Sequence, residues 1–240
     1  MSASENGFNQ LLPSAMKKSN PNDTECIINL PETSTVLNIV LHAIYGLSCA
    51  HYSPSLTDIS TAISTLKVYG FPLRTYLAPA TPLSTTLLSH APTAPLDVYA
   101  IAAAHNLHDL AVSTSPHLLS FSLPSLTDDQ AAKIGSVYLK RLFFLHLGRL
   151  DALKRLLLPP PHPHPLTNEC DFTEQKKLTR AWALASAYLT WDARPDMSAS
   201  SIEASLLPLC DNLTCELCKT ALRERIRDLI IQWSQVKTTI

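Results

Sequence analysis

The stretch from Cys26 to Gly46 changes its hydrophobic period in the middle, and this change constrains what the chain can fold into. Residues 26–30 are rich in side chains that favour strands, and they end at Pro31, which has no backbone N–H to continue a β-ladder. They predict a short edge strand. From residue 33 onward the apolar side chains recur three or four positions apart, which is typical of one face of an α-helix. That face consists of Val36, Leu37, Val40, Leu41, Ile44 and Tyr45.

The ends of this predicted helix are marked in the sequence. Residues 33–35 are all Thr or Ser, whose hydroxyls can accept hydrogen bonds from the first N–H groups of a helix. Gly46 follows the last apolar position, where glycine commonly ends a helix. Residues 55–69 repeat the pattern and stop at Gly70, so they predict a second helix of the same kind.

Composition limits the classes of protein that are compatible with this chain. It has 240 residues, of which 46% are hydrophobic, enough for a substantial core. The 19 basic and 20 acidic side chains leave a net charge of −1, which argues against nucleic-acid binding. No apolar run approaches the roughly 18–20 residues that span a bilayer, and the first residues do not resemble a signal peptide. We therefore expect an intracellular protein, cytoplasmic or nuclear, that does not bind membranes.

The glycines exclude several enzyme folds. There are only five, at positions 7, 46, 70, 135 and 148, and none has another glycine close by. Phosphate-binding loops and nucleophile elbows need paired glycines. The histidines form no HExxH motif, and nothing in the spacing of Ser, His and Asp supports a triad. We predict that the chain is not an enzyme, and we assign no catalytic, cofactor-binding or metal-binding residue and no cofactor from the sequence.

The second half of the chain predicts helices with clear starting points. Thr127 and Gln130 form a capping-box pattern, and Asp171, Ser198 and Thr214 are predicted to cap later helices. Separate helical runs are expected to pass through residues 137–145 and 150–157. Between them and the helix after Asp171 lies PPPHPHP, residues 159–165, which predicts an exposed extended loop with solvated histidines. The last helix carries alternating charges, which predict a mostly solvated mixed face.

Cysteine and histidine residues near the C-terminus allow three interpretations. Cys210, Cys215 and Cys218, with Cys170, His162 or His164, contain enough thiolates and imidazoles for a tetrahedral zinc site. Alternatively, Cys215 and Cys218 lie on the apolar stripe of the last helix and are small buried core residues, the interpretation that we favour from sequence alone. A redox role is the third, because a helix N-terminus lowers a thiol pKa. No second CxxC pair is present to decide for zinc.

Several segments in order resemble proteins with a BTB/POZ domain, most closely the type that is abundant in basidiomycete fungi. They are CIINLPETSTVLNIVLHAIYG, SLTDISTAISTLKVYGF and PLDVYAIAAAHNLHDLA, followed by two runs similar to the C-terminal parts of such proteins. The resemblance extends from about residue 8 to the end. The strands and first helix that open this family's domain, on which its dimers depend, have no counterpart here.

The resemblance implies a mainly helical α+β fold with a small β-sheet. Residues 1–85 would form a BTB/POZ-like domain shortened at its N-terminus, and residues 95–240 a helical C-terminal extension, with the boundary between 80 and 95. The implied function is non-catalytic protein–protein interaction, including self-association and service as an adaptor to a cullin-type ubiquitin ligase. The alternative function is a zinc-dependent helical regulatory module that uses Cys210, Cys215 and Cys218.

Overall fold

The chain folds into helices, and the expected β-sheet is absent from the part of the chain that the structure describes. The computed structural model describes Phe8 and residues 29–240. Within these residues the extended pairing is limited to one isolated bridge between Thr167 and Cys170. Most of the predicted strand, residues 26–28, lies outside the described residues, and Asn29 and Leu30 are in neither helix nor strand. The predicted α+β class is therefore wrong: a β-sheet needs at least two paired strands, and the described part of the chain contains none.

The described residues divide into two compact units. The first consists of Phe8, residues 29–118 and residues 126–139, and the second of residues 119–125 and 140–240. Residues 80–95 lie inside the first unit. The boundary predicted there separates a BTB/POZ-like domain from its extension. The division into compact units does not test that boundary, which stays a prediction. Among the described residues, no helix combines the length and apolar character needed to cross a bilayer.

The first unit is built from short helices. Its helices are α1 Ser34–Ile44, α2 Leu56–Val68, α3 Leu73–Tyr76, α4 Pro82–Leu88, α5 Pro95–Ala104, α6 His108–Thr114 and α7 Asp128–Ile134. Helix α1 packs on α2, and α5 packs on α6 and α7. The predicted apolar face of α2 is largely buried, with Ile59, Ile63 and Leu66 inaccessible to solvent. The predicted face of α1 is buried only at Val36 and Val40, whereas Leu41 and Tyr45 are exposed. The buried side of α1 is completed by Ile39 and Ala43 instead. The hydroxyl of Tyr99 in α5 donates to the Tyr138 carbonyl oxygen at 2.9 Å.

The second unit contains four helices that share one core. They are α8 Ser136–Leu157, whose first four residues belong to the first unit, α9 Phe172–Trp191, α10 Ala199–Leu206 and α11 Glu216–Ser234. The most deeply buried side chains of this core are Leu153, Leu157, Cys170, Trp182, Ile202, Leu206, Leu222, Ile226 and Leu229. The indole of Trp182 donates to the Leu157 carbonyl oxygen at 2.9 Å, and that of Trp233 to the Met197 carbonyl oxygen at 2.9 Å. Each large aromatic ring is thus buried with its polar group satisfied.

Most predicted helix starts are confirmed. The hydroxyls of Thr33, Ser55 and Ser198 accept hydrogen bonds from N–H groups in the first turns of α1, α2 and α10. Asp171 caps α9 in the same way through its carboxylate. Thr127 and Gln130 form both hydrogen bonds of a capping box. These motifs were predictable because both partners lie within four residues of each other.

Two helix boundaries differ from prediction. Residues 136–157 form a single helix that contains Gly148. A glycine inside a helix costs only about 1 kcal/mol of stability, which is less than the packing of the next two turns contributes. Gly135, at φ +76°, separates this helix from α7 instead. Thr214 does not cap the last helix. The cap residue is Cys215, one position later.

Candidate metal centre

Four metal-binding side chains meet in the second unit. They are His164, Cys170, Cys215 and Cys218, and their ligand atoms all lie within 4.8 Å of one another. Nε2 of His164 is 3.3 Å from the sulfur of Cys215 and 3.3 Å from that of Cys218. The sulfurs of Cys170 and Cys218 are 3.7 Å apart. Three segments that are distant in sequence thus converge on one point.

His164 is positioned by the proline-rich loop that precedes α9. The guanidinium of Arg225 in α11 donates to the carbonyl oxygens of Pro159, at 2.9 Å, and Leu156. The side-chain amide of Gln175, which is buried, donates to the His164 carbonyl oxygen at 3.0 Å. Prolines before and after His164 restrict the backbone further. The loop is therefore fixed at both ends of the segment that carries the imidazole.

The second ring nitrogen of His164 determines which tautomer is present. Nδ1 lies 2.7 Å from the Pro165 carbonyl oxygen, which can only accept a hydrogen bond. In the tautomer that this contact favours, Nδ1 carries the proton and the lone pair of Nε2 is directed at the two sulfurs. This is the arrangement of a histidine metal ligand whose other nitrogen is held by a carbonyl.

Cys170 is held by a tight turn just before α9. Its N–H and carbonyl pair with the backbone of Thr167 at 3.3 and 3.2 Å, and its N–H also contacts the Thr167 hydroxyl at 3.1 Å. The next residue, Asp171, caps α9. The Cys170 side chain is fully buried, so its sulfur faces the protein interior and the other three ligands.

Cys215 and Cys218 lie at the N-terminus of α11, on the same side of its first turn. Cys215 is half-buried, and hydrogen bonding from the backbone N–H of Cys218 lowers the pKa of its thiol to about 7. Cys218 is buried, and burial raises the pKa of its thiol to about 12, with neighbouring Cys170 acting in the same direction. Burial also raises the pKa of Cys170. Without a cation the two buried thiols keep their protons at neutral pH, whereas a coordinated metal would deprotonate both.

Three of the distances are close to those of tetrahedral zinc. With Zn–S bonds of about 2.3 Å and a Zn–N bond of about 2.0–2.1 Å, tetrahedral geometry separates two sulfurs by about 3.8 Å and a sulfur from the nitrogen by about 3.5 Å. The sulfur–sulfur distance of 3.7 Å and the two sulfur–nitrogen distances of 3.3 Å lie within about 0.2 Å of these values. Three thiols and one imidazole are a ligand set of structural zinc sites. Sulfur is a poor ligand for Mg²⁺ and Ca²⁺, which prefer oxygen.

The structure separates the residues that the sequence placed together. Cys210 is buried in the same hydrophobic core but is not among the four clustered ligands, so the set Cys210, Cys215 and Cys218 is replaced by the Cys3His set. His162 is exposed, as predicted, and lies beside Glu224 and Asp228 at a surface groove. His164, for which a solvated position was predicted, is half-buried. Sequence analysis missed the anchoring roles of Gln175 and Arg225, which depend on contacts across the fold.

Comparisons with known proteins give no family for this chain: no family model, no curated protein and no solved structure matches it. The BTB/POZ resemblance therefore stays a prediction, and the candidate metal centre is supported by its own geometry.

Proposed function

We propose that this chain is a non-catalytic protein–protein interaction module whose second unit is stabilised by a structural zinc ion on His164, Cys170, Cys215 and Cys218. The observation that carries the proposal is the convergence of four ligand atoms within 4.8 Å. Cysteines that serve only as small buried apolar residues need not bring their sulfurs to one point. Such a role also gives no reason for an imidazole nitrogen to lie next to two of the sulfurs.

The four ligands favour a structural site over a catalytic one. Catalytic zinc sites have three protein ligands and keep a fourth position for water or substrate. Here the protein supplies all four, and Cys170 and Cys218 are buried. The four side chains would fill all the coordination positions of a tetrahedral zinc ion, so no position is left for a substrate.

The role of the metal follows from the segments that it would join. The ligands come from the proline-rich loop, the turn before α9 and the first turn of α11, and 54 residues separate His164 from Cys218. Structural zinc contributes about 10–16 kcal/mol of binding free energy in small domains, which becomes folding free energy when the site forms only in the folded state. The metal would therefore fix the loop and the start of α11 on the common core.

The interaction role is supported by exposed apolar side chains on the second unit. Phe144, Leu184, Tyr188 and Trp191 each expose more than 60% of their surface. Large exposed apolar patches mark interaction sites on soluble proteins. An adaptor role for a cullin-type ligase rests on the BTB/POZ resemblance alone, and co-precipitation of the full chain with a cullin scaffold tests it.

Metal analysis of the purified chain tests the zinc site. The protein is prepared under reducing conditions, and we expect about one zinc per chain, together with a loss of thermal stability when a chelator is added. Replacement by Co²⁺ should give the intense sulfur-to-metal absorption and visible bands of a tetrahedral thiolate site. Less than about 0.2 zinc per chain, with unfolding unaffected by the chelator, would reject the proposal.

Variants distinguish this ligand set from a fortuitous group of thiols. Cys170→Ser and His164→Gln should each lose the metal. Cys210→Ser and His162→Gln, the matched controls, should retain it. Loss of zinc from Cys210→Ser at normal stability would contradict the assignment. A reversible disulfide between Cys215 and Cys218 in a metal-free chain would instead favour the redox interpretation.

A further inference from the structure

One face of α9 exposes large apolar side chains in a continuous stripe. Leu184, Tyr188 and Trp191 follow one another at spacings of four and three residues, and they expose 74%, 71% and 92% of their surface. Ala183 and Ala187, also exposed, lie beside them. All five fall within an arc of about 140° on the helix. The opposite face of α9 packs into the core through Leu178, Trp182 and Leu189.

The exposure of Trp191 contrasts with that of the other tryptophans. Trp182 and Trp233 are 1% and 3% exposed. Tryptophan and tyrosine are the residues that most often dominate binding energy in interfaces. The two exposed alanines leave room for another helix to approach closely. The stripe therefore has the composition of an interface centre.

Charged side chains of opposite sign lie before and after the stripe, and they suggest the partner. Exposed Arg180 precedes the stripe within α9, and exposed Asp192 follows it as the C-cap residue. If a second copy of α9 packs antiparallel, Arg180 of each copy lies near Asp192 of the other, which gives two pairs of opposite charge. The face is thus complementary in charge to itself.

We propose that α9 is the contact face of a homodimer in which two copies pack antiparallel about a two-fold axis near residue 186. Leu184 of one copy then lies beside Tyr188 of the other, and Arg180 beside Asp192. A two-fold axis repeats each contact, so one residue pair contributes twice. None of the four metal ligands belongs to this face, and the inference does not depend on the zinc proposal.

The area is near the minimum for a specific dimer. Complete burial of the two aromatic side chains and Leu184 would remove about 500 Å² per copy from solvent. Two copies then bury about 1,000 Å² in total, near the lower limit for specific interfaces. An interface of this size leaves little free energy beyond the cost of association, so we expect a weak dimer that responds strongly to single substitutions.

Sedimentation of the full chain tests the dimer. From about 2 to 200 µM the wild type should change from monomer to dimer, and its tryptophan emission should shift to the blue as Trp191 leaves water. Trp191→Ala and Leu184→Ser should each weaken the dimer about tenfold or more. Leu158→Ser, which alters a side chain that is 76% exposed outside this stripe, is the control and should dimerise like the wild type.

Charge reversal tests the antiparallel register. Arg180→Glu and Asp192→Arg should each weaken the dimer, because each places two pairs of like charges together. The double variant should recover dimerisation, because it exchanges the signs and restores both pairs. Circular dichroism and metal content, measured on each sample, show that the variants are folded. A chain that remains monomeric at about 200 µM, or a dimer that these substitutions leave unchanged, overturns the proposal even if the stripe binds another protein.

Discussion

Two buried cysteines of the same core allow the zinc site to be tested with little ambiguity. Cys218 and Cys210 are 3% and 9% exposed, both are free thiols, and only Cys218 has its sulfur in the cluster. Truncating either to alanine removes one buried atom and should cost about 1 kcal/mol of packing. Any larger effect that is specific to Cys218 must come from its contact with the other three ligands.

The expected difference can be worked out from the ligand count. If about 10–16 kcal/mol of zinc binding is shared among four ligands, Cys218 supplies about 3 kcal/mol, roughly a hundredfold in dissociation constant. At free zinc about 1,000 times the wild-type dissociation constant, binding stabilises the wild type by about 4.1 kcal/mol. The same zinc concentration would be only about ten times that of Cys218→Ala and would stabilise it by about 1.4 kcal/mol. We therefore expect Cys218→Ala to lose about 4 kcal/mol in zinc and Cys210→Ala about 1 kcal/mol.

Urea unfolding followed by tryptophan fluorescence measures this difference. All three tryptophans of the chain, Trp182, Trp191 and Trp233, lie in the second unit, so their emission reports on that unit alone. In a zinc buffer the two variants should differ by about 3 kcal/mol, and in a chelator the difference should vanish. Equal losses in zinc, or a difference that persists in the chelator, would refute the assignment of Cys218 as a ligand.

Three further predictions concern other groups with defined surroundings. Arg149 is buried, stacks on the Trp233 ring at 4.3 Å and donates to the Pro195, Val236 and Lys237 carbonyl oxygens at 2.5, 3.0 and 3.2 Å. Arg149→Met should lower the free energy of unfolding by about 3 kcal/mol and speed amide exchange after residue 235. The control Arg155→Met should lower it by less than about 0.5 kcal/mol, because the ion pair of Arg155 with Asp151 is exposed. Similar losses for both variants would contradict this prediction. Nδ1 of His105 is buried without a hydrogen-bond partner. Burial lowers the pKa of His105, and nearby Lys67 adds a smaller effect in the same direction. Protonation therefore favours the unfolded chain, and the free energy of unfolding should fall below about pH 6.5. His105→Gln should reduce that acid sensitivity in circular dichroism, and an unchanged pH profile would rule out His105 as its source. Cys215→Ser supplies a better helix cap but a poorer metal ligand, so it should unfold at higher urea than the wild type in a chelator and at lower urea in zinc; the same ranking in both buffers would contradict the metal role.

The parts of the fold that sequence analysis predicted correctly depend on neighbours along the chain. Helix caps such as Thr127 with Gln130 involve residues three apart, and the buried stripe of α11 follows from helical periodicity. The predicted α+β class was wrong for the complementary reason. A run of β-branched residues shows only that a segment could lie in a sheet, whereas a sheet also requires a second strand elsewhere in the chain.

The metal centre was only partly predictable because its ligands are separated by up to 54 residues. The CxxC pair was visible as a candidate, but the other two ligands had to come from the four remaining cysteines and the nine histidines. Cys210 lies five positions before Cys215 in the sequence, yet its sulfur is not in the cluster. The actual partners are selected by the folded loop, in which Arg225 and Gln175 hold the segment that bears His164. Neither contact leaves a trace in local periodicity.

The start of α11 is a boundary that local sequence preference predicted wrongly. Thr214 is a good capping residue and is available, yet α11 begins one position later with Cys215 as its cap. Cysteine is a weaker cap than threonine, so local preference alone would start this helix at Thr214. Beginning at Cys215 turns both thiols of the first turn toward Cys170 and His164. The four converging ligand atoms give a physical reason for this boundary, because they fix the positions of both thiols in the first turn.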